Sequence, residues 1–592
     1  MTSLFNHIQI HSSSSGIRNS RIFENACLIL TVSLCIAFLY FNIYANIDLA
    51  LGRFVLDMDE RTAFNGVQKI LHPIDLENFL WSIRDGIDHR YGRIFWNSMA
   101  AVSYIPEKIF GESGQIIASR GLQVFLLFMA ACFFSYFVVD TWYARFIIFL
   151  AIFTLPFSAY YQTNPKPEPI QLFFLSLYIC YYLKNRMNFG WYWIFLGLAF
   201  GAKISTLPAV VIFFLASTLI NYHSLSSGKT RSILNAMMWF ACGFSLAVPI
   251  FLFPFVIVVG SYTALLALNA AIKNSYRKPV LFVAFLIFLE MMYRSGKTPL
   301  IRWFSNTFLS TTHGSDQASI DFLSWLNYFF GGWLNAPSYI SVAFILIIFT
   351  PVLLTILNWI GKGKISKHML VFLTVFLAGL ALNFSIFISA QRLWGFYLFP
   401  GTVLLIISIV GICENGINFP QYSKNIILKT ASILALSVIC IFSTLFFLPQ
   451  TIYQLEKAAS RTNEKSYILE LQSFNESQDF LLQFSQENHH RIRVMYTPSL
   501  FLPVSTDRYE IVDFSGPYQW GNEGDEVLVL GKNHTLNGAN YPRDSVEYPP
   551  QMEERKGYQR FVANNGKACK ESFCYKVVKI LSNHAEILIK IK

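Results

Sequence analysis

The run Asp57-Met58-Asp59-Glu60 places three carboxylates in four residues, shortly after an apolar stretch that ends near residue 47. In an extended segment side chains alternate, so Asp57 and Asp59 would share a face. One carboxylate so placed accepts a proton from a hydroxyl, while another orients the acceptor or holds a metal. The competing reading is a helix that starts near Arg61 and carries the acids as cap and first turn. A second group is Asn164-Pro165-Lys166-Pro167-Glu168-Pro169. Its alternating prolines stiffen the backbone and oppose helix, which would hold Lys166 and Glu168 on one face. A cation there stabilises a leaving phosphate, and the carboxylate contacts an acceptor hydroxyl or a metal. The plainer alternative is a stiff turn with an interfacial ion pair. A third group is Gln391-Arg392-Leu393-Trp394-Gly395-Phe396-Tyr397, with Lys203 in Gly201-Ala202-Lys203 as a comparable cation. An arginine at the end of a span either snorkels or grips a phosphate through its fork of donors. His313 reads first as a polar loop residue and second as a ligand or donor contact.

The elements that must position these residues are membrane helices. The chain has 592 residues, 54% apolar and only 14% charged, against about 25% charged in soluble domains. Apolar runs near the roughly 20 residues needed to cross the hydrocarbon core recur at about 25–47, 116–139, 146–162, 170–184, 191–203, 207–221, 233–250, 252–270, 279–293, 338–359, 369–388, 398–413 and 426–448. The expected fold is an α-helical polytopic membrane protein. It has thirteen spans, or eleven if 252–293 folds as one re-entrant hairpin. Both counts are odd, so the two ends of the chain face opposite sides.

Charge sets the orientation. Lys184, Arg186, Lys229, Arg231, Lys273, Arg277, Lys278, Lys362, Lys364, Lys367, Lys424 and Lys429 fall in loops on one side, which the positive-inside rule makes cytoplasmic. The same rule accounts for the net charge of +11 without nucleic acid. Residues 451–592 hold 17 Lys and Arg against 18 Asp and Glu, leaving +12 on the membrane part. Residues 1–24 are then a cytoplasmic tail and 25–450 the membrane domain. Loops 48–115, 163–169 and 294–337 and the domain 451–592 lie outside. The mixture of Trp81, Ile83, Ile94 and Trp96 with Arg84, Asp88 and Arg93 in the first loop suits amphipathic helices at the interface.

The tail has ordinary soluble composition and reads as a small α/β domain. A helix is expected over about 464–487, with strands at Ile492–Tyr496, Glu526–Leu530, Tyr575–Ile580 and Ile587–Ile591. Of nine cysteines, seven lie in or beside apolar spans. Cys569 and Cys574 sit in a polar stretch, where a hairpin disulfide and a pair of free thiols are both open. No phosphate-binding glycine loop, dinucleotide fingerprint or zinc spacing is present.

The acidic and basic groups lie far apart in sequence but on one side of the expected topology. Together they fit glycosyl transfer from a polyprenyl-phosphate sugar. A carboxylate removes the acceptor proton, the anomeric centre gains oxocarbenium character, and cations stabilise the departing phosphate. Residues 25–450 resemble the polytopic glycosyltransferases of the C superfamily, most of all the bacterial relatives of aminoarabinose and protein O-mannosyl transferases. The resemblance rests on Asp59-Glu60, Lys166-Pro167-Glu168, Gly201-Ala202-Lys203, and Arg392 with Tyr397 before Pro400. It implies a polyprenyl-phosphate sugar donor, inverting transfer outside the cytoplasm of a bacterial inner membrane, and Asp59 as the catalytic carboxylate with Glu60 and Asp57 beside it. Lys166, Lys203, Arg392 and Tyr397 are expected at the donor phosphate and Glu168 at the acceptor or a metal. Any divalent cation would sit on Asp59 and Glu168, and cofactor identity stays open. The acceptor class, lipid, glycan or protein, is open as well. A transporter or flippase of a lipid-linked sugar would use the same cations without a base. Related halves, common in transporters, are not visible.

Overall fold

The computed structural model describes residues 58–73, 75–84, 92–155, 157–185, 187–221, 229–271, 274–304, 367–390, 395–418, 426–460, 465–496, 506–513, 525–530, 562–564, 567–570 and 573–591, with a few isolated positions elsewhere. Among them, Ser113–Phe137, Ile204–Asn221, Pro249–Asn269, Pro279–Lys297 and Lys429–Gln454 are long and apolar enough to cross a membrane. Five shorter apolar helices accompany them. The chain is therefore a multi-pass membrane protein. The expected spans 25–47 and 338–359 lie outside the described residues.

In chain order the helices are α1 Met58–Leu71, α2 Leu76–Arg84, α3 Arg93–Phe110, α4 Glu112–Phe137, α5 Trp142–Thr154, α6 Ser158–Thr163, α7 Glu168–Lys184 and α8 Trp193–Ala202. They continue as α9 Leu207–Asn221, α10 Lys229–Ala247, α11 Leu252–Ala271, α12 Asn274–Phe304, α13 Lys367–Ala390, α14 Phe399–Asn418, α15 Ile426–Phe442, α16 Leu448–Ser460 and α17 Lys465–Asn488. One apolar core joins α4, α5, α7, α8, α9, α13, α14 and α15 through fully buried residues such as Phe134, Phe153, Tyr178, Phe213, Phe372 and Leu404. Lipid gives helices little hydrophobic reason to associate, so close backbone contact matters more. At the α8–α10 crossing, a Cβ on Gly197 would sit 2.1 Å from the Phe240 carbonyl oxygen, and one on Gly243 2.0 Å from that of Ile194.

Several expectations change. The expected span 146–162 is two helices. Pro156 disfavours helix at the residue before it; Leu155 is extended at ψ 142°, Phe157 is left-handed at φ 70°, and the chain restarts as α6. The re-entrant hairpin over 252–293 is replaced by α11 and α12, which pack against each other at spanning length. Helix α12 runs to Phe304, eleven residues into the expected loop 294–337. The acidic run is also helical. Helix α1 begins at Met58, so Asp59 and Glu60 lie in a first helical turn and the two-residue alternation does not apply. Asp57 lies outside the described residues.

Helix α15 passes through a π-helical turn, Ser443–Phe447, directly into α16. The expected boundary between membrane domain and tail, at 450/451, therefore falls inside a helix. Helix α16 packs on α6, and Thr451 Oγ1 donates to the Thr154 carbonyl at 3.2 Å, capping the end of α5.

The tail forms a seven-stranded sheet in the order β2-β1-β3-β7-β6-β5-β4. The strands are β1 Ile492–Tyr496, β2 Tyr509–Asp513, β3 Val527–Leu530, β4 Val562–Asn564, β5 Lys567–Lys570, β6 Phe573–Ile580 and β7 Glu586–Ile591. β1 pairs in parallel with β2 and β3, and the remaining pairs are antiparallel. Helix α17 covers β1–β3 with Leu481, Phe474, Phe480 and Phe484. Glu476 on α17 accepts hydrogen bonds from the Ser582 N–H at 3.0 Å and the Ser582 hydroxyl, which fastens the β6–β7 turn to the helix. Cys574 is disulfide-bonded, and Cys569 stands opposite it in the β5–β6 register.

Candidate functional site

Three segments far apart in sequence meet at one end of the bundle. The turn 164–167 delivers Glu168 as the first residue of α7, with Pro167 capping and Pro169 in the first turn, where its missing N–H costs nothing. The prolines thus start a helix instead of holding an extended run through 169. Lys203 follows α8 in extended conformation, at φ −151° and ψ 121°. Tyr397 lies in a 3-10 turn, Gly395–Leu398, ahead of α14.

Lys203 Nζ donates to Glu168 Oε1, and both side chains are buried. The same Nζ lies 4.6 Å from the centroid of the Tyr397 ring, a cation–π contact that strengthens as water is removed. Lys166, 3% exposed, places its Nζ 5.7 Å over the Tyr160 ring. Tyr161, fully buried against Phe399, interacts with both Glu168 and Tyr397. One turn along α7, Gln171 Nε2 donates to Thr206 Oγ1 at 2.7 Å. Thr206 in turn donates to the Lys203 carbonyl at 2.8 Å and that of Ala199 at 3.1 Å, which fixes the backbone carrying Lys203. Glu168 Oε2 has no hydrogen-bond partner.

A further cation arrives from α3. Gly92 N–H donates to the Ala202 carbonyl at 3.2 Å, and a Cβ on Gly92 would lie 1.9 Å from the Gly201 oxygen. Only glycine permits this contact, which brings the next residue, Arg93 (4% exposed), beside Ala202 and Lys203. In the sequence Arg93 was one charge in an amphipathic mixture; Gly before Arg at a helix start was the signal available. Buried Lys166, Lys203 and Arg93 thus share this region with Glu168, and ionisable groups so placed suit an anionic head group.

Asp59 and Glu60 are held from the α3–α4 side. Helix α1 seats Ala63, Val67 and Ile70 against Phe95, Trp96 and Met99. Gln115 Nε2 donates to the Phe64 carbonyl at 3.2 Å, Gln68 Nε2 donates to Glu107 at 3.0 Å and to Gln115, and His72 pairs with Glu107. The structure thus joins Glu168, Lys203 and Tyr397, sets Lys166 beside them, and mounts Asp59 and Glu60 on a helix packed against α3. Arg392 and His313 lie outside the described residues. Among those described, no group of three or more His, Cys, Asp or Glu side chains gathers as for a metal.

No family model matches the chain, and no curated protein matches it. Among solved structures it is similar to ArnT from Cupriavidus metallidurans in the apo state, with a TM-score of 0.42 and 10% identity over 95% of this chain and 98% of that one. It is similar also to the same protein bound to undecaprenyl phosphate, with a TM-score of 0.48 and 9% identity over 95% of this chain and 97% of the other.

Proposed function

We propose that the chain transfers a sugar from a polyprenyl-phosphate donor to a lipid, glycan or protein acceptor at the outer face of the membrane. The observation that carries this reading is the buried meeting of Glu168, Lys203 and Tyr397 at one end of a spanning bundle. A phosphate on a lipid tail reaches that depth from within the bilayer, whereas a soluble anion must leave water entirely. Lys203, Lys166 and Arg392 hold the phosphate, with Tyr397 steadying Lys203 and Glu168 fixing its position. The bond between the anomeric carbon and the phosphate oxygen breaks, and its electron pair stays on the phosphate. The acceptor oxygen forms the new bond from the opposite face, inverting the centre, and its proton passes to Asp59. Glu60 and Asp57 flank that base.

Transfer from radiolabelled undecaprenyl-phosphate hexoses and pentoses, by purified protein in liposomes with membrane extract as acceptor, tests the proposal. Wild type should consume one donor, and Asp59→Asn should lower the rate by about 10²- to 10⁴-fold, the usual share of a general base. Equal rates would remove Asp59 from the role. A wild type that moves labelled lipid across the bilayer and transfers nothing would be a flippase.

A further inference from the structure

Three polar residues follow one another at four-residue spacing along α4: Gln115, Ser119 and Gln123. Side chains so spaced share a helix face. The first two are partnered within the protein, Gln115 with Phe64 and Gln68, and Ser119 with Ser103 at 3.2 Å. Gln123 is fully buried, and neither its Nε2 nor its Oε1 has a hydrogen-bond partner. Native proteins leave few buried polar atoms unsatisfied, and each one calls for an explanation.

Its place in the fold supplies one. Gln123 continues the stripe Leu127, Ala130 and Phe134, all fully buried in the core that includes Tyr161. The next residue round the helix, Leu126, packs with Ile170 and Ala202. Helices α4 and α7 run in the same direction, so stepping back from the contact of Leu126 with Ile170 reaches Gln123 after about 5 Å and Glu168, the first residue of α7, after about 3 Å. Gln123 therefore stands near the depth of Glu168, where the apolar core gives way to charge. Glu168 Oε2 and Gln171 Oε1 are likewise unpartnered, buried acceptors on α7.

We infer that Gln123 binds the sugar of the lipid-linked donor, its amide giving one hydrogen bond to a ring hydroxyl and accepting another. This rests on the proposed donor phosphate at Lys203. A sugar is one glycosidic bond from its phosphate, so groups level with the cations are those that meet it. An amide, donor and acceptor together, is satisfied at both ends by adjacent hydroxyls, whereas a phosphate, which only accepts, leaves its carbonyl oxygen without a donor.

The test compares wild type with Gln123→Leu and Gln123→Glu. Readouts are kcat and KM for the radiolabelled donor, affinity for undecaprenyl phosphate without a sugar, and Tm. Gln123→Leu should lower kcat/KM by roughly 10- to 100-fold, the scale of stranding a substrate's hydrogen-bonding groups. Affinity for undecaprenyl phosphate should stay unchanged, and Tm should hold or rise because a partnerless amide is gone. Gln123→Glu, which keeps the acceptor, should lose less. Full kcat/KM in Gln123→Leu overturns the inference. So does a joint fall in kcat/KM, Tm and undecaprenyl phosphate affinity, which marks a structural role. If wild type binds undecaprenyl phosphate but transfers no sugar, the transferase reading fails and this inference with it; if wild type transfers and Gln123→Leu matches it, only the inference fails.

Discussion

The spanning bundle buries a glutamate at each end, and the two are used differently. At the end opposite the site, Glu414 on α14 accepts the backbone N–H groups of Asp140 at 2.9 Å and Thr141 at 2.5 Å, ahead of the first turn of α5. It caps a helix that has no side-chain cap of its own, and places negative charge at the positive end of its dipole. At the site end, Glu168 meets Lys203 and Tyr161, and its Oε2 has no hydrogen-bond partner. The first carboxylate completes the fold by itself. The second binds a lysine that also faces an aromatic ring. The kind of partner, backbone N–H groups at a helix start or a side-chain cation, separates a support from a site.

The sharpest way to break this comparison is to neutralise the site pair. Replacing a buried ion pair by apolar side chains is often neutral for stability. Glu168→Leu with Lys203→Met should therefore unfold near the wild-type temperature while transferring at least about 100-fold more slowly. A double variant that transfers at the wild-type rate would reduce the pair to a support like Glu414. Lys203→Met alone strands a buried carboxylate and should cost about 3–5 kcal/mol, read as a large fall in Tm.

Glu414→Ala should behave in the opposite way, losing about 0.5–2 kcal/mol as a lost helix cap does, with transfer per folded molecule unchanged. A loss of transfer at unchanged Tm would place Glu414 in the machinery.

The smallest effect lies in the C-terminal domain. Burial acts to raise the Glu476 carboxyl, but hydrogen bonds from Ser582 and Gln472 and the nearby Lys579 charge together outweigh it and lower it. His490 is raised by its hydrogen bond to Glu526. A lowered acid contributes stability above its unfolded pKa and loses it as pH falls through the folded value. A raised histidine contributes below its unfolded pKa and loses that as pH rises through the folded value. Unfolding of the domain, followed from below the carboxylate range to above the histidine range, should therefore show its greatest stability between the two. Ser582→Ala, which loses the hydroxyl bond and keeps the N–H one, should flatten the acid side in part and leave the other side unchanged.

Much of the bundle was legible because apolar run length depends on little besides bilayer thickness. Helices α7, α8 and α9 begin and end within about two residues of their expected limits. The interruption at 155–157 was hidden because apolar residues continue through Pro156. The start of helix α1 is hard to tell from an extended segment because its first turn, Met58-Asp59-Glu60-Arg61, has little apolar periodicity. In the tail, β1 and β7 were legible from buried apolar runs. β2, β4 and β5 were not: Tyr509–Asp513 mixes acids with apolar residues, and Val562–Asn564 and Lys567–Lys570 are too short to show alternation. At the site, charge in an apolar background singled out Lys166, Glu168 and Lys203. Gln123 gave no such signal, since a lone amide in an apolar run resembles any tolerated polar residue. Only its missing partners distinguish it.

The π-helical turn Ser443–Phe447 holds one residue more than an α-helical turn would. Since each residue of an α-helix advances its face by about 100°, that extra residue sets the azimuth at which α16 leaves the bundle. It turns Thr451 toward Thr154 and the helix toward α6, which carries Tyr160 and Tyr161. Deleting one residue within the turn would rotate α16 by about 100° and take Thr451 away from the Thr154 carbonyl it caps.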